Sequence, residues 1–247
     1  MLKLFSRKKD TPNTAIFDFL KVDLHSHLLA GIDDGVQTES QALEIIEQFQ
    51  DYGFQKIITT PHILWDFYKN TPEIIQNKLE RLRIFLQENQ INIPIEAAAE
   101  YYVDEHFLQM LQKHEKLLSF GEKNYLLFET GFLNIPAFWE EAIFLMKANG
   151  YQPILAHPER YVYVQNNFSF LEKILNLGVL LQINILSLVG YYSVEAQKTA
   201  EKIIEARLPH FLASDCHHIR QAQALQNLLQ SSFFKKVQNY PWLNGSL

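Results

Sequence analysis

The chain has 247 residues, of which 47% are hydrophobic, a formal net charge of −6 at pH 7 and a single cysteine, Cys216. This length and composition suit one α/β domain with a large core, and the acidic balance offers no support for nucleic-acid binding. One cysteine excludes an intrachain disulfide and fits a reducing compartment, so we expect a cytoplasmic protein. The sequence has no apolar run of about 18 residues, so we expect no membrane-spanning segment.

The N-terminal stretch MLKLFSRKKD is basic but is not followed by the long apolar segment that a signal peptide needs. We expect residues 1–14 to form a flexible leader, as polar chain termini commonly do. Residues 15–247 are expected to form a single domain, because no low-complexity linker or charge block interrupts them.

Apolar, β-rich segments alternate with helical patterns through the rest of the chain. Predicted strands cover 21–25, 55–60, 93–99, 124–129, 153–156, 179–183 and 210–213, and their starts lie roughly 30 residues apart, as in repeated βα units. Seven such units predict an α/β fold built as a distorted seven-stranded parallel (β/α)7 barrel rather than an open sheet. No GxGxxG motif follows the first strand, which disfavours a dinucleotide-binding fold.

Three of the intervening segments carry helix start signals. Thr38 and Gln41 have the spacing of a capping box, Thr71 precedes Pro72 as an N-cap before a first-turn proline, and Ser193 is a third candidate cap. Apolar residues then recur on one face of each helix, at positions 42, 45, 46 and 49 and at positions 75, 79, 82 and 86.

The end of the first predicted strand carries the motif HSH. Because residues i and i+2 of a strand point to the same face, His25 and His27 would emerge side by side, as a divalent metal requires. Taken alone, the motif is explained equally well by a pair of hydrogen-bonded loop histidines. The other strand ends decide between the two interpretations.

Six of the seven predicted strands end at or just before an imidazole or carboxylate group. The candidate ligands are His25, His27, Asp34, His62, Glu100, Glu129, His157, Asp215 and His217. The carboxyl ends of parallel strands share one rim in a barrel, so these side chains are predicted to converge on a metal site. Only the sixth predicted strand, which is followed by Asn184, offers no charged or imidazole group.

The types of ligand narrow the metal and the reaction. Imidazoles and carboxylates without thiolates suit manganese, iron or zinc, and five histidines exceed what one ion takes, so we expect two or three divalent transition-metal ions. Two ions about 3.5–4 Å apart can activate a water and hold the oxygens of a phosphoryl group. Hydrolysis of a phosphate ester is therefore the predicted chemistry.

The motifs DLHSH, TPH, AAAE, LLFE, AHPERY and SDCHH occur in that order, and with them the chain resembles the PHP (polymerase and histidinol phosphatase) superfamily over about residues 21–220. More narrowly, it is similar to the bacterial manganese-dependent protein-tyrosine phosphatases of capsule and exopolysaccharide operons. The resemblance implies a distorted seven-stranded barrel with a trinuclear site in which manganese is the favoured metal. It also implies a phosphotyrosine protein as substrate, namely a bacterial tyrosine kinase.

The resemblance also implies a role for each candidate residue. The first ion would be held by His25, His27, Glu100 and Asp215, the second by Glu100, Glu129 and His157, and the third by Asp34, His62 and His217. Arg160, which matches the arginine of the family's HxxR motif, would bind the phosphate beside His157 and Asp215 in the catalytic centre. The alternative for Arg160 is a surface ion pair with Glu159.

Several neighbouring residues have two interpretations. Asp33 is expected to be a hydrogen-bonding loop residue, and His218 a neighbour of a ligand rather than the acid that protonates the leaving group. Cys216 is not expected to be a nucleophile, because a cysteine phosphatase has an arginine six positions later and residue 222 here is Ala. The following aromatic residues either form a slot for a phenyl ring or pack the loops: Trp65, Phe67, Tyr68, Tyr101, Tyr102 and Tyr161.

Three functions remain open on the sequence. The preferred one is hydrolysis of phosphotyrosine on a cognate bacterial tyrosine kinase. The alternatives are hydrolysis of a small phosphomonoester, as by a histidinol phosphatase, and a non-catalytic, metal-bound module that binds a kinase. The sequence does not determine the resident metal, the kinase, the role of residues 232–247 or whether the chain forms a homo-oligomer.

Overall fold

The computed structural model describes residues 15–247, and the predicted leader, residues 1–14, lies outside them. In this range the chain forms nine strands: β1 Val22–Asp23, β2 Lys56–Thr59, β3 His62–Ile63, β4 Ile95–Ala97, β5 Glu100–Tyr102, β6 Tyr125–Glu129, β7 Gln152–Ala156, β8 Leu180–Asn184 and β9 Phe211–Ala213. The α-helices are α1 Glu39–Asp51, α2 Pro72–Glu88, α3 Glu105–Gln112, α4 Trp139–Ala148, α5 Val162–Asn166, α6 Phe170–Asn176, α7 Val194–Glu205, α8 Ile219–Ala224 and α9 Phe234–Gln238.

All of the strand pairs are parallel, which confirms an α/β fold with parallel sheets. The strands form one sheet in the order β1-β2-β4 and another in the order β3-β5-β6-β7-β8-β9. The prediction of seven strands in one barrel is not confirmed by this assignment, because the second and third predicted strands each continue after a break as a separate strand. Pro61, which has no N–H to donate, separates β2 from β3.

Backbone hydrogen bonds connect the segments that follow β1 and β9. The amide of His27 donates to the carbonyl of Cys216 at 2.9 Å, and the amide of Asp215 donates to the carbonyl of His25 at 2.8 Å. A parallel bridge between Ser26 and Cys216 lies at the same place. The first and last ligand-bearing segments of the chain are therefore held side by side.

The helix caps and apolar stripes follow the sequence pattern. The side chains of Thr38, Thr71 and Ser193 accept the backbone N–H three residues later, which confirms all three N-caps. The capping box is only half formed, because the Gln41 side chain accepts the N–H of Gln37 instead of that of Thr38. The predicted stripes of α1 and α2 are buried: Ala42, Ile45, Ile46, Phe49, Ile75, Leu79, Leu82 and Leu86. Among the helices of residues 15–247, none is both long and apolar enough to cross a bilayer.

Candidate metal centre

The predicted ligands lie where strands end or are interrupted, or in the loop that follows. His25 and His27 follow β1, His62 opens β3, Glu100 opens β5 and Glu129 ends β6. His157 follows β7, and Asp215 and His217 follow β9. Most of these side chains are buried, whereas Asp34 is exposed, so it marks the solvent side of the cluster.

All nine predicted ligands belong to at least one group whose ligand atoms lie within 4.8 Å of one another. The four groups are His27, Asp34, His62 and His217; His25, His27 and Glu100; His25, His157 and Asp215; and His62, Glu100 and Glu129. Because the groups share members, they form one continuous cluster rather than separate sites. Such a cluster has the ligand count and spacing for several ions.

The first and third ligand sets implied by the resemblance largely coincide with these groups. The first set is His25, His27 and Glu100, and Oδ1 of Asp215 lies 3.3 Å from Nε2 of His25. The third set is complete, and His27 joins it as a further neighbour.

The second implied set is less compact. Nε2 of His157 lies 3.0 Å from Oε1 of Glu100 but 3.8 Å from Oε2 of Glu129. His62 is nearer to Glu129, with its Nδ1 at 3.1 Å from Oε1, and it replaces His157 in the group that contains both glutamates. The geometry thus allows His62 to serve either of two neighbouring ions.

Two of the ligand residues have left-handed backbone conformations. His157 has φ 33° and Asp215 has φ 51°, a region that residues with a Cβ seldom adopt. Gly35 supports the cluster differently, because a Cβ at this position would lie 2.3 Å from the carbonyl oxygen of His27. Backbone strain of this kind concentrates at functional sites. The left-handed residues His157 and Asp215 and the close backbone approach at Gly35 thus all lie in loops that carry candidate ligands.

Asp33 orients one of the imidazoles. Its Oδ2 lies 2.8 Å from Nδ1 of His27 and accepts the backbone N–H of His62 at 3.1 Å, while its Oδ1 accepts the N–H of Gly35. Asp33 is therefore a hydrogen-bonding loop residue, and it leaves Nε2 of His27 to face the cluster. A carboxylate partner of this kind fixes the tautomer of a metal-binding histidine.

Arg160 faces the cluster and does not pair with Glu159. Its guanidinium donates to Oδ2 of Asp215 at 2.8 Å, whereas the buried Glu159 accepts the backbone N–H of Asn184. Two aromatic rings lie against the guanidinium carbon, Phe132 with its centroid at 4.7 Å and Tyr192 with its centroid at 4.2 Å. Neither ring is among the residues predicted from the sequence to belong to the site. Their contacts hold the guanidinium plane in place beside the ligands.

Opposite charges dominate the electrostatics of the cluster. Burial would raise the pKa of Glu100, but the imidazoles of His25 and His62 hold that pKa well below its usual range. Burial lowers the pKa of His62, but the Glu100 and Glu129 carboxylates together more than offset this and raise it to about 9. Burial and the neighbouring His27 lower the pKa of His217 to about 4. The Glu100 carboxylate thus stays ionised among the imidazoles, and metal ions bound there would replace the imidazolium protons.

The donor set fits divalent metal ions. Buried polar atoms almost always have hydrogen-bond partners. Within residues 15–247, however, Oε2 of Glu100 and Nδ1 of His62 are buried and form no well-aligned hydrogen bond, although they lie 3.2 Å apart in the cluster. Imidazole nitrogens and carboxylate oxygens without a thiolate suit manganese, iron or zinc. Closely spaced donor atoms without well-aligned hydrogen bonds are what a metal centre requires.

Comparison with known proteins agrees with this geometry. The family model for capsular polysaccharide synthesis proteins, CpsB/CapC, matches residues 21–235. The chain belongs to the CpsB/CapC family. CapC of Staphylococcus aureus is 29% identical over 231 residues, which cover 92% of this chain and 90% of that protein. The tyrosine-protein phosphatase YwqE of Bacillus subtilis is 30% identical over 199 residues, which cover 81% of this chain and 78% of that protein.

A solved structure in this family has the same fold. It comes from crystal structures of YwqE from Bacillus subtilis and CpsB from Streptococcus pneumoniae, described as unique metal-dependent tyrosine phosphatases. It superposes with a TM-score of 0.76 at 27% identity, covering 91% of this chain and 94% of that one. The architecture of the described residues is therefore that of the CpsB/CapC family.

The neighbouring side chains have mainly structural contacts. Tyr101 and Tyr161 are fully buried, and their hydroxyls accept the backbone N–H groups of Leu118 and Thr130, so they pack the loops and form no slot. His218 caps α8 by accepting an N–H, as expected for a residue beside a ligand. Among the other aromatic candidates, Trp65 and Phe67 are exposed on the loop after β3, and Tyr68 stacks on His62 with ring centroids 5.7 Å apart.

The thiol of Cys216 is buried, and burial raises its pKa far above the usual value, so it stays protonated. We expect Cys216→Ala to retain phosphate release within about twofold, because a protonated thiol is a poor nucleophile. Steady-state kinetics on a phosphotyrosine peptide check this, and thermal unfolding controls for the small cavity that the change leaves. A loss of turnover in a folded, metal-loaded variant would contradict the conclusion that Cys216 is not the nucleophile.

Proposed function

We propose that this chain is a metal-dependent protein-tyrosine phosphatase. The observation that carries the proposal is the convergence of nine imidazole and carboxylate ligands on one cluster with Arg160 at its edge. Relatives named as tyrosine-protein phosphatases and a solved relative described as metal-dependent support it. Hydrolysis of a phosphomonoester is the reaction for which clustered divalent ions and an adjacent arginine are suited.

In this proposal the nine residues hold two or three ions, with manganese preferred over iron or zinc. When bound, the ions supply an activated water and charge neutralisation for the phosphoryl group. Oδ1 of Asp215 faces His25 and His27, while its Oδ2 accepts from Arg160, so this carboxylate connects the ligands with the phosphate-binding arginine. Arg160 offers two parallel N–H groups to the phosphate oxygens. His157 completes the centre through its contact with Glu100.

The same proposal includes the finer architecture and the cellular setting. The two sheets act as one distorted seven-stranded barrel of the PHP type, because the strand pairs β2 with β3 and β4 with β5 are each one interrupted strand and the first and last segments hydrogen-bond to each other. Residues 15–247 form one metallophosphatase domain. The substrate is a phosphotyrosine protein, a cognate bacterial tyrosine kinase in capsule synthesis, and the reaction takes place in the cytoplasm.

The test compares substrates with the same metal-loaded protein. We expect phosphate release from a phosphotyrosine peptide to exceed that from the same peptide with phosphoserine and that from histidinol phosphate. Removing the ions with a chelator should abolish the activity, and adding Mn²⁺ should restore it. Preference for histidinol phosphate would instead indicate a small-molecule phosphatase, and no turnover with any metal would indicate a binding module.

A further inference from the structure

Strand β8 contributes two buried amides to the cluster, although it carries no charged group. Gln182 and Asn184 are two residues apart, so they share a face of the strand, and both side chains are fully buried. Gln182 contacts His25, which follows β1, and Asn184 contacts Asp215, which follows β9. The strand end that lacks a ligand thus lies between two predicted ligands.

Three hydrogen bonds connect these four residues in a row. Nδ1 of His25 lies 2.9 Å from Oε1 of Gln182. Nε2 of Gln182 donates to Oδ1 of Asn184 at 2.8 Å. Nδ2 of Asn184 donates to Oδ2 of Asp215 at 2.7 Å. We name Gln182 and Asn184 together the amide relay.

The direction of the relay follows from its last member. Oδ2 of Asp215 accepts from Arg160, and an ionised carboxylate can only accept hydrogen bonds, so Asn184 must turn its NH₂ group toward it. The carbonyl of Asn184 then faces Gln182 and requires a donor, so the NH₂ group of Gln182 must face Asn184. The carbonyl of Gln182 is left facing His25, which must therefore carry its proton on Nδ1.

This arrangement prepares both ligands for metal. With the proton on Nδ1, the lone pair on Nε2 of His25 points toward Glu100 at 3.1 Å and Asp215 at 3.3 Å, where an ion would lie. Asn184 and Arg160 both donate to Oδ2 of Asp215, so Oδ1 is the oxygen that faces the imidazoles of His25 and His27. Amides achieve this without adding charge to a cluster that already contains several carboxylates.

We propose that the amide relay is a pair of positioning residues that fixes the tautomer of His25 and the rotation of the Asp215 carboxylate. The inference rests on the proposed function, because it requires the cluster to bind metal. It assigns a role to the one strand end at which the sequence offered no ligand.

The first test measures metal affinity rather than activity alone. Gln182→Met and Asn184→Leu remove the relay with side chains of similar size, and each is expected to weaken binding of one Mn²⁺ ion by about 10–100-fold in calorimetric titration. Gln152→Met is the matched control. Gln152 begins the neighbouring strand β7, at the end away from His157, and its side chain donates to the carbonyl of Gly178 rather than to the cluster. This variant should leave Mn²⁺ binding unchanged. The proposal would be overturned if both relay variants bound Mn²⁺ as tightly as the unaltered protein. It would also be overturned if Gln152→Met weakened Mn²⁺ binding as much as they do.

A second measurement needs no variant and so does not depend on their folding. Nitrogen-15 NMR of the unaltered protein loaded with diamagnetic Zn²⁺ should show the His25 ring proton on Nδ1. A proton on Nε2 would refute the relay. The proposed function fails separately, because an unaltered protein that binds no Mn²⁺ and hydrolyses no phosphotyrosine would refute it before any variant is made.

Discussion

Glu100→Gln is expected to lower kcat/KM for a phosphotyrosine peptide by roughly 10³-fold or more, which exceeds the 10–100-fold cost of losing a residue that only supports a ligand. Glu100 is central to the cluster. Its Oε2 lies 3.1 Å from Nε2 of His25 and 3.2 Å from Nδ1 of His62, and its Oε1 lies 3.0 Å from Nε2 of His157. Glutamine keeps the size but replaces one ligating oxygen with an NH₂ group, which cannot bind a cation.

The measurement combines kinetics with metal analysis of the same preparation. The variant should lose bound Mn²⁺ together with activity, because the Glu100 carboxylate belongs to two of the ligand groups. Glu96→Gln provides the matched control, since Glu96 lies on neighbouring β4 but only pairs with Lys56 at the surface. Surface pairs contribute at most about 1 kcal/mol, so this variant should keep both metal and activity. A Glu100→Gln protein with native metal content and more than a tenth of the native rate would contradict the bridging role of Glu100.

The ligands could be predicted from the sequence because parallel strands all end at one edge. Each of the residues His25, Glu129 and Asp215 follows or ends a buried apolar run, and this local signal is visible without coordinates. Pro61 also stands in the sequence, but its effect depends on where the neighbouring strands pair, which is not a local property. The convergence of the candidate residues was thus predictable, their metal-binding roles stay a prediction, and the seven-stranded barrel is not confirmed by the strand assignment.

The residues proposed to orient the candidate ligands were not predicted from the sequence. Gln182 and Asn184 are ordinary amides at alternate positions of LLQIN, a signal that many buried strands share. Phe132 and Tyr192 approach Arg160 from separate loops, and no spacing in the sequence connects the three. Such partners are defined by side-chain direction in the folded chain, so pattern analysis cannot distinguish them from core packing.

Arg160→Ala is expected to lower kcat/KM by about 10²–10³-fold, as removal of one group that stabilises developing charge commonly does. The guanidinium lies against the rings of Phe132 and Tyr192, and its Nη1 lies 2.8 Å from Oδ2 of Asp215. Metal content should stay close to native, because Asn184 still donates to the same carboxylate oxygen. Arg160→Lys should recover only part of the loss, since an ammonium keeps the charge but lacks the planar pair of donors.

Measuring Mn²⁺ affinity and the effect of excess Mn²⁺ on Arg160→Ala distinguishes two roles for Arg160, namely binding the phosphate and supporting Asp215 as a metal ligand. If Arg160 acts mainly on Asp215, its loss should lower Mn²⁺ affinity, and activity should recover when excess Mn²⁺ is added. If it binds the phosphate, excess metal should restore nothing, and Kd for inorganic phosphate should rise. Arg81→Ala is the control, because Arg81 only pairs with Glu39 at the surface. The guanidinium already lies at the cluster, beside Oδ2 of Asp215 and against two aromatic rings, so the second result is the one expected.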